Sequence, residues 1–220
     1  YHEYTKRITR LSFSNDEEFS EIIKILSIQR AIIHKNAINK IPQLEKIVES
    51  IEDISGTLLF VSNLNQLFEC QKIFDRLNIK YHKFTENEGT KPQREFGGLS
   101  ERSFLIEKFK NREIDVLIAI KCLDEGVDIP NANNAILLSS TTNPREYVQR
   151  IGRVIRPAAN KKFAYIYDFI VVPSLLRMDP RLRELEYKIF SKEMIRVKEI
   201  AQNAINNAEA LIKAQEFLVS

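Results

Sequence analysis

Three arginines, Arg150, Arg153 and Arg156, recur three residues apart in the run Gln149-Arg-Ile-Gly-Arg-Val-Ile-Arg156, on a segment opened by Asn143-Pro144. Residues three apart share one face of a helix, so Arg153 and Arg156 can aim two guanidinium forks at a single anion. A guanidinium stays charged and matches phosphate oxygens bidentately, which makes a helix-borne pair suited to a triphosphate. Gly152 removes a side chain just before the middle arginine, where a partner must come close. A solvated basic helix face is the plain alternative, but the flanking Tyr147, Val148, Ile151, Val154 and Ile155 are apolar.

A second cluster lies upstream, in Leu123-Asp-Glu-Gly-Val-Asp-Ile-Pro130. Gly126 permits close backbone approach, and Asp128 offers a carboxylate able to accept hydrogen bonds from sugar hydroxyls. Turns are rich in Asp and Gly for their own reasons, so this cluster gains weight only beside the arginines.

Together these runs resemble motifs V and VI of superfamily 2 helicases and translocases. Thr57-Leu-Leu-Phe-Val-Ser-Asn63 resembles motif IV, Leu99-Ser-Glu-Arg102 before Phe109 the element that follows it, and Ala164-Tyr-Ile-Tyr-Asp168 the closing strand. The resemblance covers about residues 56 to 173 and is nearest to the XPB-like and type I/III restriction-subunit-like branch of DNA-dependent ATPases. It implies the second of two RecA-like domains. It assigns Arg153 and Arg156 as arginine fingers, Gln149 to the γ-phosphate or attacking water, Asp128 to the ATP ribose and Gly126 to the nucleotide contact. Arg150 joins the cofactor-binding set or supports the helix. The resemblance also implies nucleic-acid contacts by Ser62, Asn63, Arg102 and Lys121, for the first three of which helix capping or solvation is an equal alternative. Many relatives carry threonine where Ile120 stands, so here Lys121 or backbone amides take over that contact.

What the chain lacks narrows the chemistry. Of the six glycines, at 56, 89, 97, 98, 126 and 152, none is followed by lysine, so no phosphate-cradling Gly-x-x-x-x-Gly-Lys loop is present. No apolar strand ends in an Asp-Glu pair able to hold Mg²⁺. The expectation is that ATP with Mg²⁺ binds a site completed by a preceding first RecA-like domain, which carries the metal ligands, and that this chain alone hydrolyses ATP hardly at all. The expected polyanion partner is DNA, with RNA left open, in a restriction or DNA-repair setting. Tyr1 in place of methionine suggests a fragment of a longer protein.

Other classes fit less well. A stand-alone nucleic-acid-binding or regulatory module without ATPase activity is the main competitor. Asp179 with Glu186-Tyr-Lys188 imitates a nuclease site but falls in a helical pattern, and no Gly-x-Gly-x-x-Gly supports a dinucleotide enzyme. The two cysteines and three histidines have no zinc spacing, so no metal site is expected, and the cysteines suit a reducing cytoplasm. No apolar run reaches the roughly 18 residues of a membrane span. Net charge of +3 permits a polyanion partner without requiring one.

The elements that must position these residues read as α/β. With 220 residues and 44% hydrophobic content, the chain can bury one sizeable core with helical additions. Strands are expected over 57–62, 79–84, 115–119, 135–139 and 163–169. Helices are expected over 64–77, 100–110 (capped by Ser100) and 144–156, with a mobile polar loop over 85–98. This alternation predicts a parallel, doubly wound RecA-like sheet with ligands at the strand carboxyl ends. Residues 1–54 are expected to form a helical extension on the domain, capped at Ser14-Asn-Asp-Glu17 and broken near Asn39 to Pro42. Residues 55–173 form the RecA-like domain. Residues 174–220 end in a long helix whose inner stripe is Met194, Val197, Ala201, Ala204, Ala208 and Leu211.

Overall fold

The computed structural model describes residues 1–12, 18–120, 129, 132–139, 152, 161–172 and 180–219. The chain divides into two compact units, Ile38–Phe169 and a second built from Tyr1–Ala37 with Ile170–Ser220.

The first unit is an α/β layer around five parallel strands: β1 (Thr57–Phe60), β2 (Tyr81–Phe84), β3 (Val116–Ala119), β4 (Asn134–Leu137) and β5 (Tyr165–Asp168), in the order β2-β3-β1-β4-β5. Every residue of β1, β3 and β4 is buried, as expected of inner strands of a parallel sheet covered on both faces. The register Leu59↔Ile118 and Leu59↔Ile136 stacks branched side chains on one face. That face packs on α3 (Lys40–Ser50) through Leu44 and Val48, and on α4 (Leu64–Arg76) through Leu67, Cys70, Ile73 and Phe74. Alternation sends Leu58, Phe60, Leu117 and Leu137 to the opposite face, where α5 (Glu101–Lys110) brings Leu105 and Phe109. Right-handed β-α-β crossovers put α4 and α5 on opposite faces, because the two connections run in opposite directions across the sheet.

Polar bonds seat the amino ends of the strands. Gly56 takes φ of 81°, a left-handed conformation glycine adopts without strain. Its carbonyl accepts from the N–H groups of Asn133 (2.8 Å) and Asn134 (3.2 Å). The buried Asn134 amide in turn donates to the Asp53 carbonyl (2.9 Å) and Thr57 Oγ1 (3.0 Å).

Residues 1–54 were expected to form a broken helical extension packing on the domain; the boundary between the two units falls between 37 and 38, and α3, beyond it, packs Leu44 and Val48 on the sheet core. The break itself lies between Lys35 and Lys40, and Asn39 occupies the N-cap position without a side-chain cap bond. The Ser14–Glu17 capping box lies outside the described residues.

The second unit is helical: α1 (His2–Ser12), α2 (Glu18–Lys35), α6 (Pro180–Gln202) and α7 (Asn207–Val219). A small core of Phe190, Met194 and Ala214, flanked by Ile170 and Val197, joins α6 to α7. The expected single C-terminal helix is two, because a turn at 203–206 intervenes, with Ala204 N–H donating to Ala201 O and Asn207 N–H to Ala204 O. The turn leaves Ile205 86% exposed rather than on the inner stripe.

Candidate functional site

Strand order reverses at one place in the sheet. From β1 the chain crosses toward β2, whereas from β4 it crosses toward β5, so the crevice beyond the carboxyl ends of β1 and β4 is the topological switch point where open α/β sheets take ligands. Ser62 and Asn63 leave β1 on one side of it, and Ser139 leaves β4 on the other. The chain between Ser139 and Lys161, which includes the arginine run, starts from there.

Gln66 joins the two exits. Its Oε1 accepts from the Ser62 backbone N–H at 2.8 Å and from Ser139 Oγ at 2.9 Å, while the Ser139 N–H donates to the Phe60 carbonyl. Asn63 caps α4 by accepting the Gln66 N–H on Oδ1 at 2.9 Å. Beside them the Lys40 ammonium, 7% exposed, donates to the Leu138 carbonyl at 2.8 Å. These side chains are positioning groups: they hold both exits in one geometry in a low-dielectric setting, where such bonds are strong and their loss is costly.

Pattern reading missed Gln66 and Lys40. The signal was available, since Lys40 stands in register with Leu44 and Val48 (i, i+4, i+8), and Gln66 with Cys70 and Phe74, on the buried helix faces. A polar residue in an apolar register announces a buried bond.

Arg102 sits at the carboxyl end of β2. Its Nε donates to the Glu88 carbonyl and Nη2 to the Thr85 carbonyl, both at 3.1 Å, and its guanidinium lies 5.7 Å from the Phe84 ring centroid. The buried Glu88 carboxylate accepts from the backbone N–H and Oγ1 of Thr85, and Glu101 accepts the Gly89 N–H at 2.9 Å. The 85–98 segment, expected to be a mobile loop, is therefore tethered at its base and closed by the Gln93–Leu99 backbone bond. The structure thus places Ser62 and Asn63 together, and Arg102 apart from them at the root of this loop.

Ile120 follows β3 and packs partly buried against the core, its N–H donating to the Phe84 carbonyl. Lys121, Gly126, Asp128, Gln149, Arg150, Arg153 and Arg156 lie outside the described residues. Their flanks are described. Ile129, right after Asp128, is 1% exposed, so the acidic turn ends in a core anchor. Gly152 is helical, and no described atom lies within 4 Å of where its Cβ would stand.

Residues 39–158 match the model of the helicase conserved C-terminal domain, more than half of the chain. The chain belongs to that family. It is a superfamily 2 helicase C-terminal domain with the RecA-like sheet of its relatives. It is 24% identical over 157 residues to the DNA 3'-5' translocase XPB2 of Sulfurisphaera tokodaii, covering 66% of this chain and 33% of that protein. It is 29% identical over 136 residues to the ATP-dependent RNA helicase DBP6 of Candida albicans, covering 57% and 20%. Among solved structures, the C-terminal domain of the DEAD-box protein Dbp5 superposes with a TM-score of 0.51 at 21% identity, covering 71% of this chain and 81% of that one, a likeness of fold. The helicase domain described here spans about a third or less of the length of these curated relatives.

Of the imitated nuclease site, Asp179 lies outside the described residues, while Glu186 and Lys188 lie on α6 and are engaged locally. Glu186 is buried and accepts bonds from Tyr1 and Thr5, and Lys188 pairs with Glu184 at 2.9 Å. Among the described residues, no cluster of His, Cys, Asp or Glu is placed to hold a metal, and no helix is long and apolar enough to cross a membrane.

Proposed function

We propose that this helicase C-terminal domain is the second motor domain of an ATP-dependent DNA translocase or helicase, and that it completes an ATP site whose phosphate cradle and Mg²⁺ ligands belong to a first RecA-like domain. The observation that carries this reading is the family match over 39–158, which spans both the acidic turn and the arginine run and includes the strands that form the switch point.

In this reading Arg153 and Arg156 neutralise charge on the transferring phosphoryl group, an effect worth about 10³ to 10⁵ in rate. Gln149 orients the attacking water, Asp128 holds the ribose, Gly126 contacts the nucleotide and Arg150 braces the helix. Mg²⁺, when bound, would be held by ligands of the other domain and would supply charge neutralisation at the phosphates. Ser62, Asn63 and Lys121 lie along the nucleic-acid path through backbone and side-chain contacts to phosphate. Arg102, whose guanidinium is engaged by Thr85 and Glu88, acts by holding the adjacent loop. Closing and opening of the cleft with each ATP moves the protein along its track. The XPB2 likeness favours DNA; the restriction or DNA-repair setting follows from the motif resemblance alone, and the free, buried Cys70 suits the cytoplasm. The segments 55–173, 1–54 and 174–220 serve as motor domain, bridge and helical extension, with α3 counted in the motor core.

The test is DNA-stimulated ATP hydrolysis by this chain alone, by a polypeptide joining it to a first RecA-like domain, and by that polypeptide with Arg153→Ala. Activity confined to the unmutated two-domain protein supports the reading. Activity that survives Arg153→Ala removes the arginine-finger assignment.

A further inference from the structure

Helix α1 has two faces with different tasks. Its inner face carries Tyr1, Thr5 and Ile8, one and two turns apart. Thr5 is fully buried and Ile8 is 7% exposed. Both functional groups of the inner face close on one carboxylate of α6: Tyr1 Oη donates to Glu186 Oε2 at 3.0 Å and Thr5 Oγ1 donates to Glu186 Oε1 at 3.4 Å. Burial and the adjacent Glu186 raise the Tyr1 hydroxyl above its ordinary pKa, so it remains a donor throughout the neutral range. Attachment at residues 1 and 5 fixes the rotation of the helix as well as its position.

That rotation presents Lys6, Arg7 and Arg10 together on the outer face, all exposed. Residues 6 and 10 are one turn apart and residue 7 lies between them, so the cations form one stripe, with Glu3 the only acidic residue on the helix. Elsewhere in the same unit two exposed lysines are neutralised within their own helix, Lys188 by Glu184 and Lys213 by Glu209, each one turn away, while Lys24, Lys192 and Lys198 stand singly rather than as three cations on one short helix. Among the described residues Lys6, Arg7 and Arg10 have no ion-pair partner. A helix held rigidly from beneath, with its cations left unneutralised above, is complementary to a regular row of negative charges. The sugar–phosphate backbone of a nucleic acid is such a row.

We propose that α1 is an accessory phosphate-gripping face, outside the RecA-like sheet, that holds the nucleic acid on which the motor acts; this rests on the reading of the chain as a nucleic-acid motor. Three neutralised phosphates would contribute about two to three units to the salt dependence of binding, at roughly 0.9 per contact on duplex and 0.7 on single strands. Binding through this stripe reads charge and carries no base sequence.

The experiment measures binding of the full chain to fluorescein-labelled duplex DNA, single-stranded DNA and single-stranded RNA across a range of salt. It compares the unaltered chain with K6Q/R7Q/R10Q and with K24Q/K192Q/K198Q, which removes three other exposed cations. Glutamine keeps helix propensity, so each fold is preserved. The expected result is affinity reduced about tenfold and a salt slope lower by two to three units for the α1 variant alone. Equal binding by the α1 variant, equal loss in the control variant, or no binding by the unaltered chain at low salt overturns the proposal. Nucleic-acid-stimulated ATP hydrolysis by the two-domain protein separates the failures. If stimulation is present while α1 is irrelevant, only this inference falls; if no nucleic acid stimulates hydrolysis, the motor reading falls with it.

Discussion

Replacing Gln66 by leucine removes a side chain that ties the β1 exit to the β4 exit. Gln66 is 5% exposed, and its Oε1 serves two donors, the Ser62 N–H and the Ser139 hydroxyl. Leucine fills nearly the same volume, so cavity formation contributes little and the loss is one of hydrogen bonding. Ser139 is 4% exposed, so losing the bond its hydroxyl gives to Gln66 costs about 2 kcal/mol, whereas the half-buried Ser62 N–H recovers a water and costs about 1 kcal/mol. Burying the added apolar surface returns about 1 kcal/mol, leaving a net loss of about 2 kcal/mol. The assay is urea unfolding of the chain in a Cys122→Ser background, followed by thiol labelling of the buried Cys70, which reports on the sheet unit alone. Ser139→Ala by itself should cost about 1 kcal/mol more than it does in the Gln66→Leu background, where the bond to Gln66 is already gone. The expected coupling is therefore about 1 kcal/mol. If the two substitutions add to within about 0.3 kcal/mol, the bridge is not an energetic link and the reasoning fails. In the two-domain protein the same substitution should lower stimulated ATP hydrolysis without touching any group assigned to the chemistry.

Leu44→Ala, fully buried on α3, should destabilise the sheet unit by about 2 to 5 kcal/mol in the same assay, whereas a helix lying outside the core would show a change near zero. The Cys70 thiol, pushed up to about 12 by burial and by Glu69, should resist thiol reagents in the folded chain. The unfolded thiol titrates near 9, so the folded state holds a proton that the unfolded state gives up between pH 9 and about 12. Its contribution is complete below pH 9 and is lost across that window, so Cys70→Ala should flatten the fall in stability measured by urea titration between pH 9 and 10.5.

Much of the sheet is legible in the chain because its inner strands are continuous apolar runs, Thr57-Leu-Leu-Phe60 and Val116-Leu-Ile-Ala119, punctuated by Gly56 and Asp115. The ends shift by one or two residues, since strand pairing in the folded sheet decides where a ladder stops. Less legible are features made by contacts distant in sequence. Arg102 reads as an exposed cation, yet its bonds to Thr85 and Glu88 turn a polar stretch into a tethered loop. The C-terminal alanine periodicity runs unbroken through 201, 204 and 208, while Asn203 and Asn206 bring turn chemistry that the periodicity conceals. Lys40 and Gln66 escaped because long polar side chains are usually assigned to solvent. As for the site, Ser62 and Asn63 fall at the switch point where the pattern of β-α-β units puts ligands, and Asn63 is a helix cap as the plain alternative had it. The spacing of the arginine run points to an anion, and the resemblance to a family supplies the roles of its individual residues.

The helical unit draws on both ends of the chain, and the bond between Tyr1 and Glu186 spans 185 positions. Its α1–α6 bonds are thus of high sequence separation, while the contacts of the sheet unit lie within one uninterrupted stretch. During synthesis α1 and α2 emerge first and wait for α6 until the whole RecA-like sheet has been made, so the sheet has the opportunity to fold first and to shorten the search that closes the helical unit. The order matters for quality control: until Glu186 arrives, Thr5 and Ile8 lack their partners, and Ile22, Ile25, Ile28 and Ile32 of α2 add apolar surface that is exposed even in the finished fold. A chain truncated before residue 186 would keep its sheet core and lose the carboxylate beneath α1, leaving a folded motor domain beside an unfinished, adhesive helical pair.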